Sequence, residues 1–421
     1  MENDFLIPDL VLDCLGRKRP EEINSRLNAL GAYEWDVLIK SAQQHGVVLL
    51  LYFHLKSLVS ENSIPPKIIK RLHNTFLWSA RRNVLIYHEL GKIIETLNIL
   101  GIPVILLKGA YLAEGVYSNI AMRPMLDLDI MLRKEDLQQG EKALNKLGYS
   151  SKRPFIAEVD SVIHQHILPF TKKNAVPVEV HWNIFDPAVP FLVDAEGLWR
   201  RAQSFSLAGR ESKVLCLEDQ LLHLSIHCTY HHCFSMGLIT LCDIDQIVKK
   251  FHEKINWDSL LARAKKWGFE RCIFLTLIMV SELLGTDVPQ EVINSCTPEG
   301  FNSNVRTLAY EQLFGERGHS VFAPTFPELM ETEGVIHKMA VLLSRIFPTR
   351  KEMARFYPVS PLSPMLYLYY PVRIKDLLAR YGQGIWQVMK KDNAATDSFT
   401  HRQKKDQLKA WMRKEGEIMN G

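Results

Sequence analysis

The sequence has no long hydrophobic run and few cysteines. Its longest apolar stretches, 47–53 and 272–280, are far shorter than the roughly 18–20 residues that cross a bilayer. The seven cysteines are an odd number without framework spacing, which argues against a disulfide-stapled secreted domain. The stretch MENDFLIPDLVLD is acidic and lacks the basic and long apolar regions of a signal peptide. These absences predict a soluble, cytoplasmic protein without a membrane span.

The chain also lacks a large excess of charge of either sign. Its 51 basic and 47 acidic side chains give a net charge of +4, which does not by itself indicate a nucleic-acid binder. Residues 371–421 hold eleven Lys or Arg against six Asp or Glu, a net of +5, so the other 370 residues sum to −1. Within this tail, 392–400 suggests a polar linker and 401–417 a basic helix. We expect a solvated helix, with contact to RNA, an acidic partner or a membrane surface through Trp411 and Met412 as the alternative.

Length and composition indicate several globular regions. The chain has 421 residues, 47% of them hydrophobic and 23% charged, and it contains no repeat or low-complexity tract. The clearest helical patterns are 67–100, 217–230, 238–252, 257–284 and 372–389. We therefore predict an α+β protein whose parts are an N-terminal helical region (1–100), a core with a small mixed β-sheet (101–186), a C-terminal helical domain (187–390) and a basic tail (391–421).

The character of the sequence changes between 103 and 184. A continuous apolar run at 104–107 suits a buried strand, and 126–132 alternates charged and aliphatic side chains. A hairpin is predicted over 166–184, and two short helices lie between the strands. The resulting order is β-α-β-α-β-β.

Three carboxylates fall on strands of this core. Asp127 and Asp129 share a strand face because they are two residues apart, and Glu179 lies on a later strand. Three neighbouring carboxylates repel one another unless cations lie among them, and hard oxygen ligands suit Mg²⁺ or Mn²⁺. Two such ions about 3.5–4 Å apart can clamp the attacking and leaving oxygens of a phosphoryl displacement. The Asp-x-Asp pair alone is a weak signal, because such pairs also occur on solvated strand faces.

Basic residues and a glycine precede the carboxylates. Lys108 and Arg123 could neutralise a triphosphate. Gly109 would let the backbone approach a phosphate at a helix N-terminus. For Arg123, a structural pairing with the acidic face is the alternative. His181 shares the face of Glu179 and could contact phosphate or carry a proton, or it could be a buried structural histidine.

Histidines and cysteines are dense between 223 and 242. His227 and His231 are four residues apart on a predicted helix and could reach one metal ion. The spacing of the other candidates matches no recognised zinc site: Cys228, His232, Cys233 and Cys242. We favour a helix that packs over the cleft, with histidines hydrogen-bonded to Asp243 or Asp245.

The run ILLKGAYLAEGVYSNIAMRPMLDLDIML, followed by VPVEVHW, resembles the nucleotidyltransferase superfamily typified by DNA polymerase β. Within it, the chain is similar over roughly 25–380 to a bacterial family of poorly characterised nucleotidyltransferases. That family has a strand ending in Lys-Gly, then Arg, Asp-x-Asp and Glu-x-His-Trp. Histidines ahead of an Asp follow in a helical region, as His227, His231 and Asp243 do here.

The resemblance implies roles for individual residues. Asp127 and Asp129 match the metal-binding pair. Glu179 matches the third carboxylate, which joins the second metal and helps to deprotonate the acceptor hydroxyl. Gly109 matches the glycine of the signature loop. The superfamily usually has Gly or Ser after this glycine, whereas Ala110 stands here and offers no hydroxyl.

The implied function is metal-dependent transfer of a nucleoside monophosphate from an NTP to an acceptor hydroxyl, with release of pyrophosphate. The expected cofactor is Mg²⁺ or Mn²⁺, and the acceptor (small molecule, peptide or protein, or RNA) and the choice of NTP stay open. The predicted site comprises Asp127, Asp129 and Glu179 as catalytic and metal-binding residues, and Lys108, Gly109, Arg123 and His181 as nucleotide-binding residues.

Other functions could use the same residues. One alternative is a non-catalytic nucleotide-binding or interaction protein. A second is an Asp-x-Asp sugar-nucleotide glycosyltransferase, which the Lys-Gly loop and Glu179 argue against. A phosphatase of the haloacid dehalogenase type is disfavoured, because Met131 stands where that motif has Thr or Val.

Overall fold

The protein has a small mixed β-sheet between two sets of helices, which confirms the predicted α+β class. A computed structural model describes residues 9–17, 20–58, 64–152, 155, 165–186, 191–315, 346–357, 359, 362–377 and 393–413. Within these ranges, no helix combines the length and apolar content that a bilayer crossing requires.

In the described residues, a helical segment at 9–17 and four longer helices precede the sheet: α1 (Pro20–Asn28), α2 (Ala32–Gln44), α3 (Val48–Leu58) and α4 (Pro66–Ile99). The long helix α4 confirms the pattern predicted for 67–100. Proline at its first position costs little, because that N–H has no partner within a helix. The chain leaves the helix through Gly101, whose φ of 69° suits a residue without Cβ.

The remaining helices are α5 (Lys108–Gly115), α6 (Leu137–Lys146), α7 (Ala195–Arg201), α8 (Leu217–Ile226), α9 (Leu238–Phe251), α10 (Trp257–Trp267), α11 (Glu270–Leu284), α12 (Gln290–Cys296), α13 (Ser303–Phe314), α14 (Arg350–Phe356) and α15 (Asn393–Met412). The pattern at 257–284 divides into two helices at Gly268, a left-handed C-cap with φ of 81°. The helix predicted for 217–230 changes at His227 into one π-helical turn, His227–His231.

In the part of the chain that the structure describes, the strands are β1 (Ile105–Leu106), β2 (Leu128–Met131), β3 (Val178–His181), β4 (Gln203–Leu207) and β5 (Arg210–Val214). Their order in the sheet is β3-β2-β1-β5-β4. The pairs β2–β3 and β1–β5 are parallel, whereas β1–β2 and β4–β5 are antiparallel. The central strands carry fully buried aliphatic side chains, so the sheet is anchored in the main hydrophobic core.

The sheet extends beyond the predicted core of 101–186. The expectation of helices alone after 187 is wrong, because the hairpin β4–β5 joins the sheet beside β1. Its strands are short, polar and largely exposed on one side, so they lack the apolar run that marks β1. Ala208 and Gly209 connect them with φ of 49° and 76°, which is the backbone of a tight hairpin turn.

Two other local predictions are corrected. The hairpin predicted over 166–184 retains only isolated antiparallel bridges, His166 with His181 and Phe170 with Val178, so β3 is its one regular strand in the described residues. The linker predicted for 392–400 is wrong from Asn393 onward, where α15 begins. Residues 378–389 of the helix predicted for 372–389 lie outside the described residues.

Candidate active site

Two predicted site carboxylates meet through strand pairing. Asp129 of β2 and Glu179 of β3 are register partners in a parallel pair, so their side chains leave the same face of the sheet. His181 shares that face two residues further along β3. Asp127, predicted on the same strand as Asp129, lies immediately before β2 and is half-buried. The sheet therefore places Glu179 beside Asp129, as expected for the third carboxylate.

Three of these side chains converge on one point. Ligand atoms of Asp129, Glu179 and His181 all lie within 4.8 Å of one another, and in the described part of the chain no other such set of three or more converges. Asp127, predicted as a metal ligand, is not in this set. His181, predicted to bind nucleotide, is in it. Two carboxylates and an imidazole are a donor set that fits a divalent ion.

Asp129 is the most tightly held of the carboxylates. Its Oδ1 accepts a hydrogen bond from Lys108 Nζ at 2.8 Å and lies 2.8 Å from His181 Nε2. Burial would raise the pKa of Asp129, but the Lys108 ammonium and the contact with His181 outweigh burial and hold that pKa far below its usual range. Asp129 is therefore charged at any physiological pH.

Asp127 shows the opposite effect. Burial, followed by repulsion from Asp129 and Glu179, raises the pKa of Asp127 to about 6, although Lys108 and Arg123 act in the other direction. At Asp127, burial and the two neighbouring carboxylates together therefore outweigh the two cations. An additional cation at this point would relieve the repulsion.

Lys108 is fixed in a strained backbone position. It is the first residue of α5 and has a φ of 44°, a conformation that costs a residue with a side chain about 1 kcal/mol or more. Burial would lower the pKa of Lys108, but attraction by Asp129, Glu179 and Asp127 raises it, so the ammonium stays charged. The ion pair with Asp129 keeps this ammonium at the carboxylate cluster in spite of the strain.

Gly109 lies buried in the first turn of α5. A Cβ at this residue would come within 3.1 Å of Met125 Cγ, and its φ is outside the left-handed region. The glycine therefore allows Met125 to pack closely against α5, and it is not required by an unusual backbone angle. Its predicted contact with nucleotide stays a prediction.

Arg123 is engaged away from the carboxylate cluster. Its Nε and Nη2 donate to Oδ1 and Oδ2 of Asp243 at 2.7 and 2.9 Å, and Nη1 donates to the carbonyl of Pro124. Tyr117 Oη also donates to Asp243. Burial would lower the pKa of Arg123, but the attraction of the Asp243 carboxylate is stronger and raises it. Arg123 therefore has a structural ion pair, but its partner is Asp243 of α9 and not the acidic face that the sequence suggested. Any phosphate would have to compete with Asp243.

A wall of imidazoles from α8 and the π-helical turn lies near Lys108. Its members are His223, His227, His231 and His232. Burial first, and the Lys108 charge among the further causes, lowers the pKa of all four, to about 3 for His231 and about 4 for His232. The wall is therefore neutral at pH 7. π-Helical turns often occur at functional sites.

Two buried imidazoles, one in the histidine wall and one on β3, have an unmatched ring nitrogen. Nδ1 of His223 is buried without a hydrogen-bond partner in the described structure, as is Nδ1 of His181. Phe185 stacks on His231 with ring centroids 4.8 Å apart. The sequence placed His223 in the histidine and cysteine patch without giving it a role, and the structure places it one helical turn before His227.

The histidine and cysteine patch does not form a metal site among the described residues. Its ligand atoms do not converge, and burial raises the pKa of the thiols, to about 12 for Cys228 and about 11 for Cys233. Thiols in that state are poor zinc ligands. The expected partners of the histidines are engaged elsewhere: Asp243 with Arg123 and Tyr117, Asp245 with Lys249 and Thr286.

The basic tail is not a fully solvated helix. Leu408 and Met412 of α15 are buried in the main core. Lys409 Nζ lies 5.1 Å from the ring centroid of Tyr230 in the π-helical turn, and Arg413 donates to the hydroxyl of that tyrosine. The four-residue spacing of Leu408 and Met412 was the available signal for a packed face.

Known proteins provide limited comparisons. A family model described as an uncharacterised nucleotidyltransferase matches residues 31–285, more than half of the chain. Among solved structures, the solution structure of the antibiotic-resistance factor ANT(2'')-Ia is similar, at 11% identity and a TM-score of 0.32. That match covers 42% of this chain and 90% of the other. A search of curated proteins finds no match.

Proposed function

We propose that this chain, which belongs to the family of uncharacterised nucleotidyltransferases, moves a nucleoside monophosphate from an NTP to an acceptor hydroxyl and releases pyrophosphate. The observation that carries the proposal is the convergence of Asp129, Glu179 and His181 beside Asp127. Phosphoryl-transfer sites work mainly by positioning and charge neutralisation, and carboxylate clusters serve both.

The residues present fit a divalent ion. Asp129 and Glu179 would hold it with His181, and Asp127 would contribute from the edge of the cluster. Repulsion from Asp129 and Glu179 adds to burial in raising the pKa of Asp127, and a bound cation would relieve that repulsion. A bound Mg²⁺ or Mn²⁺ would supply charge neutralisation at the phosphates.

Lys108 and α5 supply the protein's own positive charge. The Lys108 ammonium lies against Asp129. Lys108 is also the first residue of α5, where backbone N–H groups without a partner in the helix favour anions. We propose that an NTP binds with its phosphates here, so that Lys108 offsets part of their charge. Gly109 would allow the phosphates to approach the first turn.

Glu179 is the proposed proton acceptor. Its side chain is 26% exposed, compared with 3% for Asp129, so an acceptor hydroxyl can reach it more easily. In the proposed step the hydroxyl oxygen bonds to the α-phosphorus, the bond from that phosphorus to the β-bridging oxygen breaks, and pyrophosphate leaves. The hydroxyl proton passes to a Glu179 oxygen.

The test is incubation of the full chain with each NTP labelled at the α-phosphorus, Mg²⁺ or Mn²⁺, and candidate acceptors. Label transfer from the α position supports the proposal, transfer from the γ position alone indicates a kinase, and tight binding without transfer favours the non-catalytic alternative. We expect Glu179→Gln to lose at least about 100-fold in transfer rate. Glu89→Gln is the matched control, because Glu89 pairs with Lys172 outside the candidate site.

A further inference from the structure

The converging set contains a nitrogen donor. His181 Nε2 lies 2.8 Å from Asp129 Oδ1 and 3.7 Å from Glu179 Oε2. Ligands at right angles around an ion with bonds of about 2.1 Å lie about 3 Å apart. The two separations are therefore close to those of ligands on neighbouring corners of one ion.

His181 is poorly explained as a purely structural residue. It is 2% exposed, and its Nδ1 has no hydrogen-bond partner in the described structure. A neutral imidazole has one N–H and one lone pair, so a ring with a single partner leaves one of them unmatched in the interior. Protein atoms of the described structure therefore do not satisfy the whole ring, and Nε2 is the nitrogen that faces the two carboxylates.

The nitrogen donor bears on which ion the site would take. Mg²⁺ prefers an octahedron of oxygen ligands, whereas imidazole is a good ligand for first-row transition metals, and carboxylates suit Mn²⁺. We propose that Asp129, Glu179 and His181 form a mixed nitrogen and oxygen site that takes Mn²⁺ in preference to Mg²⁺, with His181 as the ligand that discriminates. This inference rests on the proposed function for the presence of an ion.

Pulsed electron paramagnetic resonance of bound Mn²⁺ tests the nitrogen ligand directly. The full chain, labelled with ¹⁵N-histidine and stripped of metal, is loaded with Mn²⁺ in the absence of nucleotide. We expect the hyperfine coupling of a directly bound ¹⁵N, and its loss in His181→Gln. The matched control is His166→Gln, since the ring of His166 lies 5.2 Å from that of His181 but outside the converging set.

Competition between the two ions tests the preference. We expect displacement of Mn²⁺ from the wild-type protein to need about 100-fold more Mg²⁺ than Mn²⁺, and about ten-fold or less in His181→Gln. Bound Mn²⁺ without nitrogen coupling, or displacement by a comparable concentration of Mg²⁺, would overturn the inference. The wild-type spectrum decides the question even where the variant fails to fold.

The outcomes separate this inference from the proposed function. Nitrogen-coupled Mn²⁺ in a protein that transfers no nucleotide supports the site and rejects the transfer. Nucleotide transfer with an ion that has only oxygen ligands supports the proposed function and rejects the nitrogen-containing site. Failure to bind any divalent ion contradicts both.

Discussion

Arg123 and Asp243 form a two-pronged ion pair although 120 residues separate them in the chain. Their side chains are 17% and 1% exposed, so the pair is largely shielded from water. Arg123 lies four residues before Asp127, and Asp243 lies in the middle of α9. The pair thus fixes the approach to β2 against the C-terminal helices, and the candidate site depends on both parts of the chain.

Replacing Arg123 by Met should lower the free energy of unfolding by about 3–5 kcal/mol, because the buried Asp243 carboxylate would lose its charged partner. Denaturant unfolding measures this loss. Arg123→Met combined with Asp243→Leu should recover much of it, because no unpaired charge remains. A loss below about 1 kcal/mol, together with weaker NTP binding, would contradict the structural role and favour the predicted phosphate contact.

Asp127→Asn and Asp129→Asn should change stability in opposite directions in metal-free protein at pH 8. The pKa of Asp127 is raised to about 6 from 3.8, so its charge costs folding free energy that appears as the pH rises through this window. Asn removes that cost, and we expect a gain of about 1–2 kcal/mol. Asp129→Asn instead deprives Lys108 of its anionic partner and should lose stability.

Urea unfolding of both variants at pH 8 in the presence of a chelator measures these changes. At pH 4, where Asp127 is already protonated in the fold, the gain from Asp127→Asn should be small. An Asp127→Asn protein that is as destabilised as Asp129→Asn would show that the carboxylates do not repel one another as inferred.

Acid should destabilise the fold through the histidine wall. Burial lowers the pKa of His231 and His232 from 6.5 to about 3 and about 4. The unfolded chain therefore binds these protons first, and the free energy of unfolding, which is fully retained above pH 6.5, falls as the pH drops from 6.5 toward those lower values. Between pH 6.5 and 5.5 each should cost about 1 kcal/mol. His231→Phe, which retains a ring against Phe185, should reduce the pH dependence of unfolding, whereas His252→Gln is the exposed control.

Gly109→Ala should separate nucleotide binding from stability. The added Cβ would press only on the flexible side chain of Met125, so we expect less than about 1 kcal/mol of destabilisation. If phosphates approach this turn, NTP binding should weaken about ten-fold, as measured by titration with a fluorescent nucleotide. Gly115→Ala is the contrasting variant on α5, because its Cβ would lie 2.1 Å from the Tyr111 ring and should destabilise the protein. Unchanged NTP binding in Gly109→Ala would remove Gly109 from the nucleotide site.

Local patterns predicted the parts of the site that local geometry determines. The alternation around Asp129 and Glu179 was sufficient to predict a strand at each of these carboxylates, and the structure pairs the two strands. The partner of Arg123 was not predictable, because the periodicity of a sequence does not determine which helix packs against a loop 120 residues away. The convergence of His181 with two carboxylates likewise follows from strand register, which one sequence does not specify.

The hairpin β4–β5 was missed for a different reason. Its alternating residues face solvent on one side, so the apolar signal is weak, and only the Ala208-Gly209 turn marks it. The packing of α15 was missed because the helix is mostly polar and charged. Leu408 and Met412, which are buried in the core, form only a short apolar pattern in its sequence.

The parallel pairing of β1 with β5 sets an order of events during synthesis. Residue 105 leaves the ribosome about 5–20 s before residue 214, at a typical rate of about 5–20 residues per second. For that interval one edge of β1 has no strand to pair with, and unpaired edges invite association with other chains. A nascent chain ending near 186 would therefore carry the carboxylates but not the partner that completes their sheet, and we expect it to require a chaperone.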